Sequence, residues 1–310
     1  MSAVQNLGDV ILIDTEHIGN AGTVGAYLLP YGQALALIET GPSSTLPALE
    51  AGIRQAGYEP EALQAVFLTH IHLDHGGAAG TLAQRYGATV YVHEVGAPHL
   101  RDPSRLMASA TRIYGEQMDY LWGTMEAVPE GQLRVLEDNE LVTLGQRSLR
   151  AIETPGHASH HFAYLLDDGS VFSGDAAAIR FAGSAVVRPA LPPPEVNLEL
   201  WDTTLERLRQ LSASRLLLTH FGEVLEVDSH LEQVRSQNWL WAKAVLAGMQ
   251  AGESDSDLMA RIEALSLRQL EDDGADPKTI HRHRVTSNDA MTVMGLSRYW
   301  RKHHPEKLSS

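Results

Sequence analysis

Residues 67–80 read FLTHIHLDHGGAAG and place His70, His72, Asp74 and His75 within six consecutive positions. A neutral imidazole offers a nitrogen lone pair and a carboxylate offers anionic oxygen. Such a set suits zinc, iron or manganese, whereas an all-oxygen set would suit magnesium or calcium. Three more candidates lie far along the chain: His157 in ETPGHASHH, Asp175 closing VFSGD, and His220 closing LLLTH. Each follows an apolar run and precedes small or turn-forming residues, the pattern of a strand end. Strand ends on one edge of a sheet converge, so these three can join the 70–75 loop in one site. Together they supply five imidazoles and two carboxylates.

The elements that must position these groups are legible as short apolar runs alternating with helical patterns. DVILID, VGAYLL and ALALIET read as strands, and STLPALEAGIRQAG has helical periodicity. AVFLTH is a buried-type strand whose last residue is His70, so the histidine cluster lies where strand gives way to loop. Gly76-Gly77 and Gly80 then permit a tight turn before the helix TLAQRYG. TVYVHE is a further strand, and residues 98–130 read as helices rich in methionine and aromatics. Past the proline-rich RPALPPPE come a helix over 197–211 and the strand RLLLTH. From about residue 229 the pattern is helical, interrupted by the acidic EDDGADP. This divides the chain into an α/β part, residues 1–228, and a helical C-terminal extension, residues 229–310.

Composition narrows the function classes. With 310 residues, 44% apolar and 20% charged, the chain has the profile of a globular protein with a sizeable core. No run approaches the roughly eighteen apolar residues of a membrane span, so no membrane role is expected. The N-terminal MSAVQNLGDVILID lacks a basic flank, a long apolar region and a small-residue cleavage site. The chain has no cysteine, which excludes disulfides, thiolate ligands and cysteine nucleophiles together and fits a cytoplasmic location. A net charge of −15 speaks against nucleic acid as a partner. The last thirty residues depart from this, setting Arg282, Arg284, Arg298, Arg301, Lys302 and Lys307 against Asp289 and Glu306.

The series THIHLDHGG, TPGH, SGD and LTH, in this order and with these gaps, resembles the metallo-β-lactamase superfamily over roughly residues 8–225. That resemblance implies an αββα four-layer sandwich with metals at one edge. It implies that His70, His72 and His157 hold one divalent ion, most simply zinc, with iron or manganese as alternatives. Asp74, His75 and His220 would hold a second, and Asp175 would bridge them. Two such ions sharing a hydroxide lower the pKa of water enough to give a nucleophile near neutral pH. Asp74 would orient that hydroxide and take its proton. The implied reaction is hydrolysis of an ester, thioester, lactone, amide or phosphodiester bond in a small molecule.

Within the family, glyoxalase II-like thioesterases are the nearest general comparison. They share the THxHxDHxGG and TPGH segments and a helical C-terminal extension. Arg298, Arg301 and Lys302 in LSRYWRKHH offer contacts to an anionic substrate, or else an internal contact or one between subunits of a homodimer. No tyrosine lies between Asp175 and His220, which departs from the family's acyl-homoserine lactonases. A mononuclear-iron persulfide dioxygenase reading would use His70, His157 and Asp175 and leave the other ligands idle. A phosphodiesterase or nuclease is the remaining alternative, with strongly salt-dependent cleavage.

Several residues have plainer readings. His17, His93 and His99 are expected to be structural, and Asp14, Glu39 and Thr40 to be turn and edge residues. His160 and His161 are expected mainly to be structural, with a supporting or substrate-contacting role as the alternative. His281, His283, His303 and His304 are expected to be solvated basic surface. Met107, Tyr114, Met118, Tyr120 and Trp122 serve either helix packing or the wall of a substrate pocket, since a family insertion shapes the pocket at that point.

Overall fold

The computed structural model describes residues 3–286 and 288–308. Among these, one sheet runs in the order β1 (Val4–Asn6), β2 (Ile11–Asp14), β3 (Gly25–Tyr31), β4 (Ala34–Ile38), β5 (Leu63–Phe67), β6 (Thr89–His93) and β7 (Leu133–Leu136). Its first four strands are antiparallel, and from β4 onward the pairs are parallel. The second sheet holds β8 (Leu141–Leu144), β9 (Arg147–Glu153), β10 (Phe162–Leu166), β11 (Ser170–Phe172), β12 (Arg215–Leu218) and β13 (Gly222–Val224), neighbours in chain order. Only β11 and β12 pair in parallel within it.

Strand side chains alternate between faces, and here both faces are apolar because both are covered. Leu12, Tyr27, Leu29, Ile38 and Phe67 face Leu149, Phe162, Tyr164, Phe172 and Leu217 across the gap between the sheets. Their neighbours Ile11, Ile13, Leu28, Leu37 and Val66 point the other way, into a helical layer. That layer contains α1 (Leu46–Gln55), α2 (Leu73–Gly76), α3 (Ala79–Tyr86), α4 (Ala97–Arg101), α5 (Ser104–Tyr114) and α6 (Met118–Leu121).

Beyond the outer face of the second sheet lie α7 (Leu198–Gln210), α8 (Val227–Gln250), α9 (Asp255–Asp272), α10 (Pro277–Thr286) and α11 (Asp289–His303). Val171, Leu216 and Leu218 of the sheet share one buried cluster with Trp201 of α7, Trp241 of α8, Ile262 of α9 and Trp300 of α11. The layers are therefore α, β, β, α, with the C-terminal helical region contributing to the last. Asn197 caps α7 by accepting from the Leu200 N–H, and Ser254 and Asp257 form a reciprocal capping box at α9.

Phe67 is fully buried between the sheets, stacked 4.4 Å from the Tyr91 ring and edge-on to Tyr164 at 5.3 Å. Phe67→Ala is expected to destabilise the fold by about 3–5 kcal/mol, read from equilibrium unfolding in urea.

Candidate metal centre

Equal offsets from paired parallel strands explain why distant residues meet. Phe172 pairs with Leu217, and Asp175 and His220 each lie three residues further on. Ile38 pairs with Phe67 in the other sheet, and Glu39 and His70 follow at the same end. Carboxyl ends of parallel strands from both sheets thus open onto one edge. After His70 the chain turns into α2, where the His75 and Gly76 N–H groups both donate to the His72 carbonyl. That turn brings Asp74 and His75 back over the strand ends.

Hydrogen bonds join the sheets beneath the site. Tyr164 O–H donates to the Leu68 carbonyl at 2.8 Å and Tyr27 O–H to the Leu218 carbonyl at 2.5 Å. The Phe162 N–H donates to the Thr69 carbonyl and the Gly25 N–H to the Thr219 carbonyl. Gly174 precedes Asp175 with φ +47°, and a side chain there would collide with Thr69 and His161.

Every sequence-predicted ligand is in this cluster. His70 Nε2 lies 2.9 Å from His72 Nδ1, and His157 Nε2 lies 2.9 Å from the same atom. His75 Nε2 is 3.4 Å from Asp175 Oδ1, and His220 Nε2 is 3.5 Å from both Asp175 Oδ1 and Asp74 Oδ2. Outward-facing ring nitrogens are engaged elsewhere. His157 Nδ1 donates to the Ala190 carbonyl, His220 Nδ1 to the Thr23 carbonyl and His70 Nδ1 to Thr69 Oγ1. His70 and His157, whose pKa values burial lowers, therefore present an unprotonated Nε2 inward, whereas at His220 Asp175 and Asp74 outweigh burial and raise the pKa.

The donor set fits divalent cations. Three groups have ligand atoms within 4.8 Å of one another: His70, His72 and His157; His70, His75 and Asp175; and Asp74, His75 and His220. Asp175 Oδ1 is buried with no hydrogen-bond donor. Burial, with crowding by neighbouring imidazoles, holds His70 and His72 well below the ordinary histidine range, so both stay neutral, the form in which an imidazole can hold a metal. Burial opposes charge on His75 too, but Glu39, Asp175 and Asp74 outweigh it and push that ring well up.

Glu39 is the residue that sequence reasoning missed. Far from being an edge residue, it is buried, and its Oε1 accepts from His75 Nδ1 at 3.0 Å, Thr69 Oγ1 at 2.5 Å and Thr219 Oγ1 at 3.3 Å. Its φ of +65° is unusual for a residue with a side chain and turns the carboxylate beneath the cluster. Thr40 bonds the His75 carbonyl through both N–H and hydroxyl, so it too serves the site. Asp14 is the turn residue expected, accepting from the Glu16 and Gly22 N–H groups. His161 holds the ligand loop: Nε2 accepts from the Asp175 N–H at 3.1 Å while Nδ1 donates to Thr154 Oγ1.

Beside the ligands lies a cavity of about 480 Å³ bordered by His72, Asp74, His157, Asp175 and His220. The 98–130 segment contributes Leu106, Ala110, Ile113, Tyr114, Leu121 and Trp122, so it forms pocket wall as well as packing. The C-terminal region contributes Val285, Asn288, Met291 and Thr292. Arg298, Arg301 and Lys302 are not among the lining residues, which come from the opposite end of α11.

Two histidines depart from their plain readings. His17 lines the cavity, stacked on Trp122 at 5.3 Å, its Nδ1 buried without a partner and its pKa pushed down to about 4 by burial. His283 is buried against Phe181 at 4.9 Å rather than solvated, because α10 turns that face inward. His93 is structural as expected, accepting from the Val95 N–H and packing against Phe162 with the ring centroids 4.8 Å apart. His304 is held by Glu199 and Tyr299.

The sequence profile of the metallo-β-lactamase superfamily matches residues 19–220. The chain belongs to that superfamily. A metallo-β-lactamase fold-containing protein of Sulfurisphaera tokodaii is 32% identical over 199 residues, 62% of this chain and 74% of its own. A hydroxyacylglutathione hydrolase of Bradyrhizobium is 31% identical over 139 residues, 44% of this chain and 43% of its own length. The chain thus matches less than half of that hydrolase. Among superfamily structures, one from Sulfolobus tokodaii superposes with TM-score 0.58 at 27% identity, covering 70% of this chain and 80% of its own. A metallo-β-lactamase family protein of Thermus thermophilus reaches TM-score 0.61 at 22% identity, covering 90% and 88%, and so shares the superfamily fold.

In the metal-free protein Glu39, Asp74 and Asp175 retain a proton on His75 that a binding cation must displace. Metal affinity is therefore expected to rise with pH through the neutral range and to fall on acidification. Glu39→Gln should weaken affinity about 10–100-fold and make that pH dependence shallower. Calorimetric zinc titration at several pH values checks both.

Proposed function

We propose that this chain is a cytoplasmic metal-dependent hydrolase that opens an ester, thioester, lactone or related bond of a small molecule at a site for two divalent cations, zinc first among them. Superfamily membership and the ligand cluster support a metal hydrolase. The observation that carries the finer reading is the inward convergence of five imidazole nitrogens and two carboxylates. One ion would sit among His70, His72 and His157, the other among Asp74, His75 and His220, with Asp175 between them. Divalent cations bound there supply an acidified water and polarise the bond under attack.

The chain's own residues do the remaining work. Asp74 borders the cavity with its side chain 26% exposed, whereas Asp175 is buried. Burial raises the Asp74 pKa, but His75 and His220 outweigh it and hold the carboxylate below the usual range. It is therefore ionised and placed to take the proton of an attacking water at a carboxylate oxygen. Ala190 and Thr23 fix the His157 and His220 rings through their Nδ1 protons, so neither can swing away as charge develops. Trp201 donates to the Ala176 carbonyl and packs edge-on to His157, closing the floor behind the ligand loop.

Removal of metal with dipicolinate is expected to abolish ester hydrolysis and zinc to restore it. Asp74→Ala, reloaded with zinc and checked for metal content, should lose about 100-fold or more in kcat. Turnover that survives exhaustive chelation would sink the reading.

A further inference from the structure

The cavity beside the ligands has a polar floor and apolar walls. Leu106 and Ile113 come from α5, Trp122 follows α6, Phe181 lies in the loop after Asp175, Val285 belongs to α10 and Met291 to α11. Five elements and loops thus place apolar side chains around one opening. Ile113 and Val285 remain 42% and 41% exposed, although each borders the cavity that continues to His72 and Asp74. Aliphatic groups left in water at the mouth of a concave site are a surface made for an apolar ligand.

Fixed positive charge is scarce on these walls. Arg188 is the guanidinium among the lining residues, and it is committed to the protein interior. It is buried, lies 2.7 Å from Asp289 and sits 5.2 Å from the Trp241 ring centroid. Arg298, at the far end of α11, donates to the Pro194 carbonyl instead. Away from the metal site, an anionic head group entering the cavity would leave water and meet, among the described lining residues, no lysine and no arginine but Arg188.

We propose that the substrate is an uncharged ester or lactone carrying an apolar arm, which lies against Ile113, Val285 and Met291. This rests on the hydrolase reading above and names its substrate class. Water's oxygen bonds to the acyl carbon, the acyl–oxygen bond breaks, and one proton passes to the departing oxygen. The products are a carboxylic acid and an alcohol, joined in one molecule when the substrate is a lactone. No oxidant or second substrate takes part.

The test compares kcat/KM of the zinc-loaded protein on p-nitrophenyl acetate, butyrate and octanoate with that on S-lactoylglutathione and bis(p-nitrophenyl) phosphate. The expected result is a rise of about tenfold or more from acetate to octanoate, with both anionic substrates about 100-fold or more below octanoate. A second readout needs no turnover. Calorimetry on metal-free protein should show octanamide binding more tightly than acetamide, with the difference lost in Ile113→Asp and kept in Ile113→Leu. Preference for S-lactoylglutathione or the phosphodiester would overturn the proposal and leave a metal hydrolase standing. So would esters turned over without regard to chain length. No turnover of any of these compounds by metal-loaded protein would overturn the hydrolase reading and the proposal together.

Discussion

Unprotonated nitrogen and oxygen atoms facing one another at close range repel, and at this sheet edge the chain holds several of them so. His72 Nδ1 has His70 Nε2 on one side and His157 Nε2 on the other, each 2.9 Å away, and one proton cannot serve both contacts. Asp175 Oδ1 is buried with no hydrogen-bond partner, 3.4 Å from His75 Nε2 and 3.5 Å from His220 Nε2. Such a cluster costs free energy until positive charge enters it, through protons on His75 and His220 or through cations. The outer hydrogen bonds of His70, His157 and His220 aim their Nε2 atoms inward, where a cation can take the place of a proton.

Holding repelling groups together requires a rigid frame, and the frame is the contact between the two sheets. Phe67, Tyr91, Phe162 and Tyr164 pack between them, and the Tyr27 and Tyr164 hydroxyls tie the ends of one sheet to carbonyls of the other. Burial pushes the pKa of both hydroxyls well up, so they stay protonated donors. Ligand loops from either sheet consequently share one foundation. On the far side, Gly295 of α11 packs against the Leu191 carbonyl so closely that a side chain would clash, and Leu191 adjoins the carbonyl that orients His157. Helices remote in sequence thus bear on a ligand ring as well as on the substrate cavity.

The residues legible in the sequence were those whose chemistry coincides with a local backbone signal. His70, Asp175 and His220 each end an apolar run, and His72, Asp74 and His75 crowd a glycine-bounded turn, so type and place agree. The alternating apolar runs likewise gave β2 to β6 and β12, and the helical patterns gave α1, α3 and α7. Glu39 was hidden because ALALIETGP reads as a strand running into a turn. Its role depends on β4 pairing in parallel with β5, a contact that local pattern does not encode. His17 and His283 were hidden for a related reason: an isolated histidine gains meaning only from the face it turns to, and neither lies in a run with clear periodicity. The neutral character of the cavity walls was equally invisible, since it is assembled from α5, α10 and α11 and from where Arg188 finds its partner.

The measurement that bears most directly on this account is anomalous diffraction at the zinc edge from crystals grown with zinc. Two peaks per chain are expected. One should lie about 2.0–2.1 Å from nitrogens of His70, His72 and His157, and the other at similar range from Asp74, His75 and His220, with Asp175 reaching both. A single peak held by His70, His157 and Asp175 alone, with the remaining ligands turned away, would contradict it.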